Sequence, residues 1–268
     1  MNFRAPLPFL ESIESREVRS VLPTEFRTKM LQEIPAPLRE RAMFSAGVTN
    51  VEFLQEASTA VDDLISGNVD RATKRAEMKK LVAKLELRPE PGKEDSIEDL
   101  GSDARLNLIL DHNVAAAQGY GAWKQGQDPE ILDNWPAQEL VRVIDSKEKR
   151  DWNARWVAAG GPRTSAWPRM IALKNDPIWT RISRFGLPYA PFDWNSGMDL
   201  EDRTRDEAIA LGLIDRDTEL LPQDRGFNDN LQASPEVRDQ ELRDALLERF
   251  AGVAEFVGGV FRLVKGGG

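Results

Sequence analysis

The sequence predicts a mixed α+β fold that is mainly helical, and three observations carry that expectation. Apolar residues recur at three- and four-residue spacing through much of the chain, in stretches that open on Ser, Thr or Asp and close on Gly. Two short strand candidates, the β-branched run 138–144 and a second at 169–173, interrupt that pattern in the middle of the chain. A hydrophobic fraction of 41% over 268 residues supplies a core for one large domain or two modest ones. The architecture expected is a helical N-terminal region, a small mixed α+β middle domain with a short sheet, and a long C-terminal helix.

Each element follows from local signals. Residues 9–22 and 24–44 read as two helices divided at Leu22-Pro23. Thr49-x-x-Glu52 has the form of a capping box, in which two side chains satisfy backbone N–H groups that lack helical partners. Leu54, Val61, Leu64 and Ile65 continue from it on one face, and Gly67 is the stop. A second helix follows Asp70, with Met78, Leu81, Val82 and Leu85 as its stripe, so the two make a helical hairpin. The run Arg88-Pro89-Glu90-Pro91-Gly92-Lys93-Glu94-Asp95 has no periodicity and reads as a linker. From Ser102 to Gly126 a long helix carries Leu106, Ile109, Leu110, Asn113, Ala117 and Tyr120. Asp128-Pro129 opens a short helix, Asp151–Ala159 is another closed by Gly160-Gly161, and Asp176-Pro177 opens a third. Residues 187–200 read as irregular. Thr204-x-x-Glu207 is a second capping box, with its helix closed at Gly212, and residues 214–232 are acidic and aperiodic. After Ser234-Pro235 a last helix carries Val237, Leu242, Leu246, Phe250, Val253, Phe256, Val257 and Val260, with Gly258-Gly259 inside it. The domain plan is therefore 1–87 helical, 88–100 linker, 101–213 α+β, and 214–268 an acidic segment with the C-terminal helix.

Composition excludes several chemistries. No apolar run reaches the length of a membrane span, and Pro6, Pro8 and Glu11 break any signal-peptide core. Cysteine is absent and His112 is the single histidine, which removes thiolate metal sites, multi-histidine centres and most nucleophilic triads. His112 lies beside Asp111, but neighbours on a helix point about 100° apart and cannot pair across one site. The acidic residues at 199–207 and 215–219 alternate with arginines and read as a solvated, ion-paired surface. Gly119-Tyr120-Gly121 lacks the preceding strand and third glycine of a dinucleotide loop. No catalytic residue, cofactor or metal site follows from the sequence, and the chain reads as a non-enzyme.

Charge is distributed unevenly. The net of -9 conceals a window, 151–198, with six basic and three acidic residues and five of the seven tryptophans: Trp152, Trp156, Trp167, Trp179 and Trp194. Trp152 and Trp156 share a helical face, and their simplest role is core. The functional alternative is docking, because Trp and Arg are enriched at binding hot spots. The candidate docking surface is Arg169, Lys174, Trp179, Arg181 and Arg184, steering an acidic partner.

Residues 101–213 resemble the phage head morphogenesis, or minor head protein, family (phage Mu protein F-like). Three blocks carry the resemblance: the helix Leu106–His112–Asn113 through Gly119-Tyr120-Gly121; the strand-turn-helix from Leu140-Val141-Arg142-Val143-Ile144-Asp145 through Lys149-Arg150-Asp151-Trp152 to Gly160-Gly161; and the segment Pro188-Tyr189-Ala190-Pro191-Phe192-Asp193-Trp194-Asn195-Ser196-Gly197-Met198. The segment 40–49 also looks like the leading helices of such proteins. Many members close this domain on a His-Pro-Asn-Cys-x-Cys-like motif whose His and Cys this chain lacks, so no bound metal is carried over. The resemblance implies a structural minor head protein that associates with the phage portal protein and major capsid protein during assembly. It implies a place in the virion head, and in the host cytoplasm before that, with packaged DNA as a further contact and no membrane. Two other classes are a carboxylate-based hydrolase or toxin-like transferase, which needs converging acids in a pocket, and an internal DNA-binding ejection protein, which needs a contiguous basic face.

Overall fold

The computed structural model describes residues 10–17, 20–21, 42–43, 45, 48–145, 150–223, 244, 254–257 and 260–263. Among them are eight helices and a three-stranded antiparallel sheet with two smaller strand pairs, a mixed α+β and mainly helical fold. The chain divides into two compact units, residues 1–16 with 59–224 and residues 17–58 with 225–268.

In the first unit, α1 (Leu10–Glu17) is tied by Arg16, whose Nε lies 2.8 Å from Asp62. Asp62 belongs to α2 (Val51–Ile65), within which the division between the units falls. The cap of α2 is Asn50, which accepts from the Phe53 N–H at 2.8 Å, one residue downstream of the expected Thr49. Helix α3 (Arg71–Lys84) is capped by Asp70, and α4 (Asp103–Gln125) by Ser102. Charge pairing aligns the last two: Arg71 meets Asp111, Arg75 meets Asn107 and Asp103, and Lys79 meets Asp103. The partners run in opposite order along the two helices, so α3 and α4 are antiparallel. All six positions expected to form the α4 stripe are buried.

Residues 88–100 are not a boundary between compact units, since 59–224 form one unit across them. The segment is a chain of hydrogen-bonded turns. The Ser102 hydroxyl donates to the Ser96 carbonyl at 2.6 Å while accepting from the Arg105 N–H, and Asp99 accepts from the N–H groups of Asp95 and Gly101. Lys93 pairs with both Glu90 and Glu98. Dense charge and proline here build a tight turn system, where composition alone suggests a spacer.

The helices α5 (Pro129–Asn134), α6 (Trp152–Ala158), α7 (Ile178–Ile182) and α8 (Arg205–Ala210) surround a sheet of order β4-β3-β5: β3 is Ala137–Arg142, β4 is Met170–Leu173 and β5 is Met198–Arg203. Asp128, Asp151 and Thr204 cap α5, α6 and α8, and Thr204 with Glu207 completes a capping box. Strand β5 replaces part of the stretch expected to be irregular. It pairs with β3 through six residues, from Ala137 opposite Arg203 to Arg142 opposite Met198. Its charged sequence, Met-Asp-Leu-Glu-Asp-Arg, is that of an edge strand guarded against further pairing.

Alternation along the strands makes two layers. Leu140, Met170, Ala172, Met198 and Leu200 face a cluster with Trp152, Trp156, Ile178, Trp179, Ile182 and Phe192. Ala137 and Ile171 face the opposite way, against Ala208 and Ile214 from α8 and the turn after it.

In the second unit, β1 (Ser20–Val21) and β2 (Ala42–Met43) pair in parallel. This corrects the helical reading of 9–22 and 24–44 at those positions, and that of 40–49 at Ala42 and Met43. The rest of those stretches, apart from α1, lies almost wholly outside the described residues. Strands β6 (Ala254–Val257) and β7 (Val260–Leu263) form an antiparallel hairpin with Val257 opposite Val260. The long C-terminal helix is therefore wrong over Phe256, Val257 and Val260. In the sequence a Gly-Gly pair separates the two strands, and Gly-Gly between β-branched and aromatic residues favours a hairpin over a helix. Asp244 is helical, and the remainder of the expected helix is outside the described residues.

Candidate functional site

The positive, tryptophan-rich window divides into a buried core and two ion-pair clusters. Asp151 accepts from the Ala154 N–H at 2.8 Å and starts α6, which places Trp152 and Trp156 on its inner face. The Trp156 ring meets Trp179 edge-on at 5.4 Å, and Trp179 meets Phe192 at 6.0 Å. Both indole N–H groups are satisfied internally, Trp156 by the Pro162 carbonyl at 2.9 Å and Trp179 by the Leu173 carbonyl at 2.8 Å. A Cβ on Gly161 would come within 2.3 Å of the Trp156 ring, so only glycine lets the chain pass there.

This geometry corrects the expected docking surface. Trp179 is fully buried and anchors the core. Lys174 is also buried, with its ammonium 2.9 Å from Asp202. Arg169 forms a bidentate pair with Glu139, while Arg181 lies 3.8 Å from Asp176 and half-exposed. Arg184 belongs to a different cluster, on Asp193. The five residues do not make one face.

Glu139, in the central strand, is the first cluster. Burial pushes its carboxyl up, but hydrogen bonds and charge from Arg169 and Arg203 outweigh burial and hold it below the ordinary carboxylate value. Such a group stays ionised and does not serve as a proton donor near neutrality, which argues against acid catalysis at this carboxylate.

Asp193 is the second. Its side chain is only 4% exposed, and three guanidinium groups reach it: Arg155 at 3.0 Å, Arg150 at 3.3 Å and Arg184 at 3.3 Å. Arg150 also donates to the Trp194 carbonyl at 2.8 Å, and Arg142 donates to the Ser196 carbonyl at 3.1 Å. Four arginines from four places in the chain thus converge on the turn 193–196. Arg155 lies 4.8 Å over the Trp152 ring. Trp194 is packed against His112 at 4.0 Å and Phe185 at 5.0 Å, so His112 on α4 takes part in an aromatic cluster. Its neighbour Asp111 turns away to Arg71, as the helical angle requires. Burial raises the Asp111 carboxyl against the pull of Arg71 and Arg75.

Sequence reasoning missed this constellation, apart from Arg184. Its one local signal was the pair of basic residues flanking Trp152; the rest depends on contacts between residues 9 to 54 positions apart. Among the described residues no three of His, Asp and Glu are placed to hold a metal ion, and no helix is long and apolar enough to cross a membrane. No protein-family model, curated protein or solved structure matches this chain.

Proposed function

We propose that the chain is a structural minor head protein of a tailed phage or prophage, one that associates with the portal protein and major capsid protein during head assembly. The observation that supports this reading is the mutual packing of the three blocks on which the family resemblance rests. The first block meets the third where Gly119 abuts Ala190, Tyr120 meets Tyr189 at 5.8 Å, and His112 meets Trp194. The second meets the third where Arg150 and Arg155 grip Asp193. Blocks far apart in sequence therefore build one unit, as a shared fold requires. Such a unit serves assembly by presenting fixed charged groups to a partner.

The test is association with head components encoded beside this chain. The purified protein, mixed with the portal ring and with the major capsid protein, is expected to co-migrate with at least one on size exclusion and to be present in purified heads. Failure to bind either, together with absence from heads, overturns the reading. Packaged DNA as a further contact is tested by the salt dependence of retention in filled and empty heads.

A further inference from the structure

We infer that Arg142, Arg150, Arg155 and Arg184, ordered on Asp193 and the neighbouring carbonyls, form a docking surface for a short acidic segment of a protein partner. This deepens the assembly reading, on which it rests for the partner's identity though not for the chemistry. Three guanidinium groups reach a single carboxylate and a fourth, that of Arg142, lies on the Ser196 carbonyl of the same turn, which leaves a local excess of positive charge in a chain whose net charge is -9. Asp193 is buried, whereas the side chains of Arg150, Arg155 and Arg184 are 32%, 30% and 39% exposed and Arg142 is exposed. The acid is thus on the inside and the bases face out. Each guanidinium carries five N–H donors in a planar fork suited to carboxylates.

The heads are already ordered. Arg155 is held between Asp193 and the Trp152 ring, Arg150 between Asp193 and the Trp194 carbonyl, and the turn itself by Trp194 packed on His112 and Phe185. Side chains fixed before binding lose little entropy on binding. The nearby carboxylate of Asp151 is engaged in capping α6.

The surroundings select a short peptide over nucleic acid. Strand β5 starts opposite Arg142 and presents exposed Asp199 and Glu201. At about 3.4 Å per residue Asp199 lies one step along β5 from the position opposite Arg142, within a Debye length of about 8–10 Å, and Glu201 lies two residues beyond it. A long polyanion running past the cluster meets them, whereas a few Asp or Glu side chains engage the arginines alone.

The experiment uses the full chain, fluorescence anisotropy, and two labelled probes: an oligo-glutamate peptide of about ten residues and a single-stranded oligodeoxynucleotide of equal charge. The peptide is expected to bind more tightly than the oligonucleotide. Arg142→Gln and Arg184→Gln are each expected to weaken the peptide about fivefold or more, while Arg181→Gln, outside the cluster, leaves it unchanged. Among the described residues the Arg142 side chain bonds the Ser196 carbonyl and not Asp193, so its removal keeps Asp193 compensated by Arg150, Arg155 and Arg184. Wild-type peptide affinity in Arg142→Gln overturns the inference. So does tighter binding of the oligonucleotide that the same variants abolish, which puts nucleic acid in the peptide's place. A chain that enters heads but ignores the peptide overturns this inference alone; one that binds it through these arginines but never enters heads overturns the assembly reading alone.

Discussion

A Cβ on Gly119 would lie 1.8 Å from the carbonyl oxygen of Ala190, so helix α4 and the segment before Asp193 meet backbone to backbone. No side chain, however small, fits between them. The approach carries Tyr120 onto Tyr189 and His112 onto Trp194, and so positions the turn that gathers the arginines.

Gly119→Ala therefore has a sign opposite to helix propensity. In an exposed helix interior Ala is preferred to Gly by about 1 kcal/mol. Here the added methyl displaces backbone, and a loss of about 3 kcal/mol is expected from overpacking. A urea midpoint equal to or above wild type would show that the contact is absent.

Trp179→Ala should act on stability. The ring is fully buried, and its N–H has an internal acceptor. Removing a buried tryptophan costs about 3–5 kcal/mol. Arg181→Gln on the same short helix should stay within about 0.5 kcal/mol, because its pair is long and half-exposed. Thermal unfolding of the two variants separates core from surface on that helix.

Glu139 predicts an acid limb of defined sign. Its folded carboxyl titrates below the ordinary value of 4.5, so its ionised form favours the folded state. That stabilisation is complete above the unfolded value and is lost as the pH falls through the depressed folded value. Wild type should lose more stability than Glu139→Gln between about pH 5 and about pH 3. At neutral pH the variant should be the less stable. Parallel acid limbs in the two proteins would contradict the Arg169–Glu139–Arg203 assignment.

Ser102 holds two things at once, the first turn of α4 and the Ser96 carbonyl of the preceding turns. Ser102→Ala should lower stability by about 1 kcal/mol through loss of the cap. It should also speed tryptic cleavage at Lys93, followed by mass spectrometry. Rapid cleavage there in wild type, matched by the variant, would restore a loose linker at 88–100.

Several elements were legible in the residues because their causes are local. Asp70, Ser102, Asp128, Asp151 and Thr204 each cap the helix that the sequence places after them, and the α4 stripe is buried at all six expected positions. A cap needs only the residues two or three places on, and a helical stripe only its own period. Strand β5 escaped notice because a charged edge strand has little β-propensity of its own; pairing with β3 decides it. The β1–β2 pair, with partners 22 residues apart, was invisible for the same reason.

The candidate site divides along the same line. Composition alone located an excess of positive charge and tryptophan in 151–198, and absent cysteine with a single histidine narrowed the chemistry. It did not say which of those side chains face water. Lys174 and Trp179 are buried because β4, α7 and the edge of β5 close over them, and Asp193 becomes the centre of the cluster because α6, the residues before it and the segment after α7 deliver arginines to it, while β3 brings Arg142 to the same turn. Helix starts and stops are set by interactions within one turn of the chain, so the sequence determined them. Burial and the convergence of charge depend on contacts across tens of residues, and those only the tertiary structure decided.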